Sequence, residues 1–382
     1  MKLTRRRTLA VIGGGSIIAA TGSLGYAVTR PPRTAYQPWK DAGTYSDARM
    51  RALSWALLAP SPHNRQPWLA GLEGDDTVVL HVDLERLLPQ TDPYHRQILI
   101  GMGCFLELLR MAAAEDGYLA EVELFPQGSD PGRLDNRPVA RVVFVPQPHA
   151  TTDPLFAHVL ARRSDKTPFD TDRPVPRDMI ARLEAAVSTG IRFGGTVDPS
   201  VVQPLRDLTR EALRIEAETP HTHNESVELF RIGRAEIDAN PDGISFGGPV
   251  FETLHMARLF TRDAAADPSH FIFRSGMDAV FANSDSAMGF VWLISDDNTR
   301  ATQIAAGADW LRVNLAATGA GVGFHPLSQA LQEFPEMAGP YASLHSTLAP
   351  EGGRVQMLAR IGYGSQRGLS PRWPLEDRIM NV

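Results

Sequence analysis

Apolar side chains recur at helical spacing across residues 46–58, and the run stops at Pro60. Residues 77–83, Thr-Val-Val-Leu-His-Val-Asp, have the β-branched character of a strand. A strongly apolar helix follows over 97–114. Its small residues Gly101 and Gly103 permit close packing, and Gly117 supplies a stop. Strands are expected at 122–125 and 139–145, divided by a Gly/Asp/Pro loop at 127–138. After a Pro/His/Thr linker at 146–153 the theme returns. Residues 154–162 lead into a cationic cluster, 177–187 form a helix behind Pro174 and Pro176, and 202–217 form an amphipathic helix. A strand at 289–295 precedes a long helix at 299–318, with Ile304, Ala308, Leu311 and Leu315 on one stripe. That helix ends at Gly319 and Gly321, and a strand at 355–361 closes the series.

The two ends carry one pattern: a small-residue apolar helix, a glycine stop, a short strand, then an Arg/Val/Leu strand. Gly117 corresponds to Gly321, and 139–145 to 355–361. The expectation is an α+β chain built by internal duplication. The alternative is a generic α+β sheet protein whose order repeats by coincidence. A length of 382 residues accommodates two units, 45–150 and 154–382. A formal net charge of −6 without a basic domain gives nucleic acid no electrostatic footing.

Residues 1–30 stand apart. Thr4-Arg5-Arg6-Arg7-Thr8-Leu9 leads into apolar, glycine-rich 10–20, the layout of an export signal of twin-arginine type. Gly13–Gly15 and Thr21–Ser23 make the stretch polar for a membrane span, although an uncleaved signal would leave an anchor. The glycine triplet is no dinucleotide fingerprint, because Ile18 holds the third glycine position and no strand precedes it. The expected destination is the periplasm or cell envelope, reached through the twin-arginine machinery. Cys104, the single cysteine, excludes an intrachain disulfide, which suits a route that exports folded proteins.

Two short stretches carry the candidate chemistry. In Arg162-Arg163-Ser164-Asp165-Lys166, residues 162, 164 and 166 share one side if the segment is extended, so two cations and a hydroxyl can clasp a phosphate. The bland reading is a solvated basic bend. In Pro60-Ser61-Pro62-His63-Asn64-Arg65-Gln66-Pro67-Trp68, three prolines fix the backbone and remove donors, leaving Asn64 and Gln66 as polar groups suited to a heterocycle's edge. The bland reading there is a structured turn. A metal-hydrolase site from His221, His223 and Glu225 is a weaker candidate, because i, i+2 histidines do not share a helix face and no third ligand stands out.

Taken together, Pro60-Ser61-x-x-Asn64-x-Gln66-Pro67-Trp68 and Arg162-x-Ser164-x-Lys166 resemble the signature elements of the FMN-dependent nitroreductase superfamily. Their order and the arginine-bearing head look most like its Acg-like branch. The resemblance spans about 45–378, including Arg360-Ile361-Gly362-Tyr363-Gly364 and Pro371-Arg372-Trp373-Pro374-Leu375-Glu376-Asp377. It implies a nitroreductase-like fold and an FMN between two halves, with hydride passing through flavin N5 from NAD(P)H or another donor. Arg162 would hold the phosphate, Ser164 would support it, and Lys166 would sit by the flavin N1/O2 edge. Arg372 would add a second phosphate-binding cation, and Pro60, Ser61 and Asn64 would approach from the opposite repeat. Pro326-Leu327-Ser328-Gln329 matches the segment that meets the N5/O4 edge, so Ser328 and Gln329 join the set. No side chain is assigned as catalytic and no metal is expected, because the flavin performs the chemistry.

Each signature occurs once. Pro62 stands where the family commonly has serine, and residues 188–191 (Ser-Thr-Gly-Ile) replace the second copy of the proline element. The expectation is therefore a monomeric pseudo-dimer with one FMN site kept and one lost. The rival reading is a non-catalytic FMN store with a lidded site, residues 240–252 being the candidate cover.

Overall fold

The computed structural model describes residues 30–365 and 368–380. The expected export signal, apart from Arg30, lies outside them. The first half folds as β1 (Trp68–Glu73), β2 (Thr77–Val82), the helix Arg96–Glu115, β3 (Tyr118–Leu124) and β4 (Ala140–Pro146). These strands form an antiparallel sheet in the order β1-β2-β4-β3, its hairpin registered by Trp68 opposite Val82 and Glu73 opposite Thr77. The second half opens with β5 (Arg192–Thr196). An insertion follows, whose parallel pair is β6 (Phe230–Ile232) and β7 (Ile244–Phe246). Then come β8 (Gly289–Ser295), the helix Arg300–Gly319, β9 (Gly323–Pro326) and β10 (Arg354–Gly362). This sheet is also antiparallel, ordered β5-β8-β10-β9. Position for position the two orders are the same. A last strand, β11 (Ile379–Met380), leaves the second half and pairs in parallel with β1.

The two long helices cross at glycine. A Cβ on Gly103 would lie 2.1 Å from the Ile304 carbonyl oxygen, and one on Gly307 would lie 2.0 Å from that of Ile100. The contact is reciprocal, and each backbone fits only because the other carries no side chain. The helices also open alike. Buried Arg96 donates to the Gln356 and Leu331 carbonyls at 2.6 Å each, across in the second half. Buried Arg300 donates to the Tyr94 carbonyl at 2.7 Å and the Asp130 carbonyl at 3.0 Å in the first. Gly117 and Gly321, which end the helices, both have positive φ, +77° and +68°. Cys104 sits in this seam, its thiol against the Gly307 carbonyl at 3.1 Å and pushed up to about 12 by burial, which leaves it an inert apolar filler.

Residues between β5 and β8 differ from the sparse reading the sequence permits. They fold into helices Pro199–Glu218, Pro220–Glu228, Gly233–Ala239, Pro249–Met256, Arg262–Ala266 and Phe271–Asp285 around the short parallel pair. Val227, Ile232, Phe260, Ala265 and Ile272 give this insertion a small core of its own. The candidate cover, 240–252, contributes β7 and the start of Pro249–Met256.

Candidate functional site

The helix Ala48–Ala56 ends in a turn that the backbone alone disfavours. His63, Asn64 and Gln66 have φ of 47°, 54° and 50°, left-handed values for non-glycine residues. Prolines set the entry and exit, and side chains pin the rest. The Ser61 hydroxyl oxygen accepts from the Gln66 amide N–H at 3.0 Å. The fully buried Gln66 side chain donates to the Pro241 carbonyl at 2.7 Å and accepts from the Trp373 N–H at 3.0 Å. Asn64 Nδ2 donates to the Pro371 carbonyl at 3.1 Å, and its Oδ1 accepts from Arg372 at 2.7 Å. The turn is thus held between the C-terminal tail and the insertion. Gly101 leaves room beneath it: a Cβ there would stand 3.2 Å from Pro62 Cδ.

Arg162 and Arg372 converge on the carbonyls that this helix end leaves open. Arg162 Nη2 donates to the Leu58 carbonyl at 2.9 Å. Its Nε–H is buried and has no acceptor. Burial, with Arg163 adjacent, brings its guanidinium down to about 10. Arg372 departs from the role the resemblance implies. Its five N–H groups make five hydrogen bonds, to the carbonyls of Leu57, Pro371, Leu58 and Ala59 and to Asn64 Oδ1. No donor remains on Arg372 for a phosphate, while the Asn64 amide spends one N–H on the Pro371 carbonyl and its oxygen on Arg372. Both are clamps that fasten the tail to the helix end, where cations also answer the helix dipole.

Lys166, at the end of the cationic segment, is exposed, and its carbonyl accepts from Asn283 of the insertion at 3.2 Å. Asp165 anchors the segment through its N–H to the Phe324 carbonyl at 2.9 Å, beside β9. Beyond Lys166 lie two groups that the sequence reading left without a role. His63 Nε2 stands 4.0 Å from Glu216 Oε1. Burial, then Lys166 and Arg65, bring His63 down to about 4, so it is neutral near pH 7 and this contact is not an ion pair. Burial raises Glu216 to about 7, against hydrogen bonds from Gln332 and Gln329 that favour the carboxylate. Ser328 instead turns to Gln97, donating to its Oε1 at 3.0 Å. For His63 the proline-locked turn was a usable signal. Glu216, Gln332 and Asn283 had none, because only the folding of the insertion brings them here.

Asp242 fastens the insertion. It accepts from Arg65 at 2.9 Å, Arg86 at 2.5 Å and Arg231 at 2.8 Å, while Gly243 N–H reaches the Asn64 carbonyl at 3.3 Å. Gln66, Arg162 and Arg372 are buried, whereas Ser61, Asn64 and Ser164 are half-buried and Lys166 is exposed. Cavities of about 130 Å³ beside Leu57 and Pro374, and about 320 Å³ on the insertion surface, lie away from this site. The metal candidate comes apart. His223 meets the Ala265 carbonyl, His221 faces Glu336, and Glu225 accepts from Gln90 and Thr91.

No family model matches the chain. The protein Rv3127 of Mycobacterium tuberculosis is 37% identical over 346 residues, covering 87% of this chain and 92% of that one. A second protein of that organism, provisionally named NAD(P)H nitroreductase acg, is 28% identical over 349 residues, 88% of this chain and 96% of that one. The chain belongs to the nitroreductase family, in its Acg-like branch. Among solved structures, FMN-dependent nitroreductase NfnB from Mycobacterium smegmatis in complex with NADPH aligns with a TM-score of 0.32 at 18% identity, covering 56% of this chain and 92% of that one.

Proposed function

We propose that this chain is an FMN-dependent oxidoreductase of nitroreductase type, a pseudo-dimer that holds one FMN between its two halves. The observation that carries the reading is the meeting of the two signatures. Arg162 from the second half reaches the Leu58 carbonyl, just ahead of the proline-rich turn, at 2.9 Å. Family membership and the matching strand orders point the same way.

The donor set suits the cofactor. Arg162 Nε–H is buried without an acceptor, as an anionic oxygen requires. Asn283 Oδ1 and Gln329 Oε1 are buried without a donor, as the N–H of a pyrimidine edge requires. Arg162, Ser164 and Lys166 would hold the phosphate and the charged edge, while Arg372 and Asn64 would keep the turn in place behind them. When bound, FMN supplies two-electron transfer between a nicotinamide donor and an acceptor. The protein's part is to orient the flavin, exclude water and place a cation at Lys166. Export by the twin-arginine route belongs to the same proposal and rests on residues 1–30 alone.

The protein as purified is expected to be yellow and to release FMN on denaturation. NADPH should bleach it, and a nitrofuran should restore the colour. Colourless protein that FMN cannot reconstitute would refute the reading. A second reading, FMN storage, is favoured by the closure of the insertion through Asp242 and Gln66. Bound FMN that no donor bleaches would select it.

A further inference from the structure

The last turn of the Pro199–Glu218 helix sets a carboxyl group where the two halves meet. Glu216 is buried, takes hydrogen bonds from Gln329 and Gln332, and stands 4.0 Å from His63 Nε2. Separate stretches of chain converge on it: the proline-rich turn, the segment after β9, the cationic segment through Lys166, and the insertion itself. The atoms around it do not saturate one another. His63 Nδ1, Gln329 Oε1 and Gln332 Oε1 are all buried without partners. The amides of Gln329 and Gln332 turn N–H groups to Glu216, which favours its carboxylate, and burial outweighs them in favour of the carboxyl that carries its proton.

We propose that Glu216 is the proton donor of the flavin site, a catalytic acid that gives its carboxyl proton to the acceptor reduced there. The inference rests on the flavin reading above. For a nitro compound the balance is one hydride and one proton. The hydride's electron pair, drawn from a reduced nicotinamide, breaks one N–O bond, so nitrogen is reduced and the nicotinamide oxidised. The Glu216 proton completes the departing water, a nitroso group remains, and the carboxylate regains a proton from solvent. The charged and titratable groups acting on Glu216 are Lys166, Glu225 and His63, and those acting on His63 include Lys166 and Arg65. His63, lowered to about 4, does not titrate near neutrality. Glu216, raised to about 7, does.

The test is Glu216→Gln in the full chain, with His63→Gln as the companion. E216Q should bind FMN with an unchanged spectrum. Its nitrofuran turnover should fall about 100-fold, the scale of a lost general acid. The wild-type fall in rate as pH passes about 7 should vanish with it. A second readout needs no turnover. Glu216 goes from 4.5 to about 7 on folding, so its stabilisation is complete below 4.5 and is lost as pH rises through about 7. His63 goes from 6.5 to about 4, so its stabilisation is present above 6.5 and is lost as pH falls through about 4. The two slopes oppose each other. The melting temperature of E216Q should rise with pH across that interval more steeply than wild type, and that of H63Q should fall. A yellow E216Q that keeps its pH limb, or an H63Q without the fall, overturns the assignment of Glu216 and leaves the flavin reading standing. A colourless wild-type protein overturns both.

Discussion

Arg162 and Arg372 reach the same Leu58 carbonyl, yet their remaining donors have different fates. Arg372 spends every N–H on protein acceptors, whereas Arg162 keeps a buried Nε–H without one. Their substitutions should therefore separate. Arg372→Met strips donors from Leu57, Leu58 and Ala59 and from Asn64, and should cost about 3 kcal/mol of stability, the scale for breaking a buried polar cluster. Arg162→Gln should weaken FMN binding at least tenfold with a smaller loss of stability, read by flavin fluorescence titration beside chemical denaturation. The reverse ranking would make Arg372 the phosphate ligand. Motif matching identified both residues. It could not tell a clamp from a ligand, because that depends on where the Leu57–Ala59 carbonyls point, and no residue spacing records it.

Elements with a strong period were legible, and those defined by their neighbours were not. The helices at 96–115 and 300–319 and strand Gly289–Ser295 follow from apolar runs with glycine stops. β1 and β5 went unread: β1 begins at the Trp68 that closes the turn motif, and β5 is Arg-Phe-Gly-Gly-Thr, with little side-chain pattern. Each is a strand because a neighbour with a clearer pattern, β2 or β8, offers it a ladder. The small residues of the first long helix were read for close packing, and the structure divides their work. Gly103 makes the helix crossing and Gly101 clears the turn. Gly103→Ala would push a methyl to 2.1 Å from the Ile304 carbonyl, so the helices must separate, at a cost of about 2–3 kcal/mol. Gly101→Ala meets Pro62 Cδ at 3.2 Å and should cost less. Melting temperatures of the two variants decide it, and equal losses would remove the crossing as the special contact.

At the scale of the whole molecule, Asp242 is among the carboxylates that tie the insertion to the first half, alongside Glu225 at Gln90 and Thr91. Arg65 and Arg86 belong to that half, Arg231 to the insertion, and Asp242 takes hydrogen bonds from all three. Burial lowers the pKa of Arg65, Arg86 and Arg231 lower it further, and Asp242 opposes them. Asp242→Asn keeps the shape and removes the charge, leaving buried Arg65 and half-buried Arg86 and Arg231 without that compensation. The loss should be about 3–5 kcal/mol locally, as for a broken buried ion pair. It should fall on the insertion, because the crossing at Gly103 and Gly307 contains no residue of that cluster. Hydrogen exchange should accelerate across 199–285 while the amides of 96–115 and 300–319 keep wild-type protection. The functional consequence depends on what the closed insertion does. If closure only assembles the site around Glu216, D242N should lose turnover and FMN together. If closure is what keeps a stored flavin from reductants, D242N should bleach with NADPH faster than wild type. Uniform exchange throughout the chain would mean that the insertion opens only with global unfolding, and Asp242 would then be part of one cooperative core.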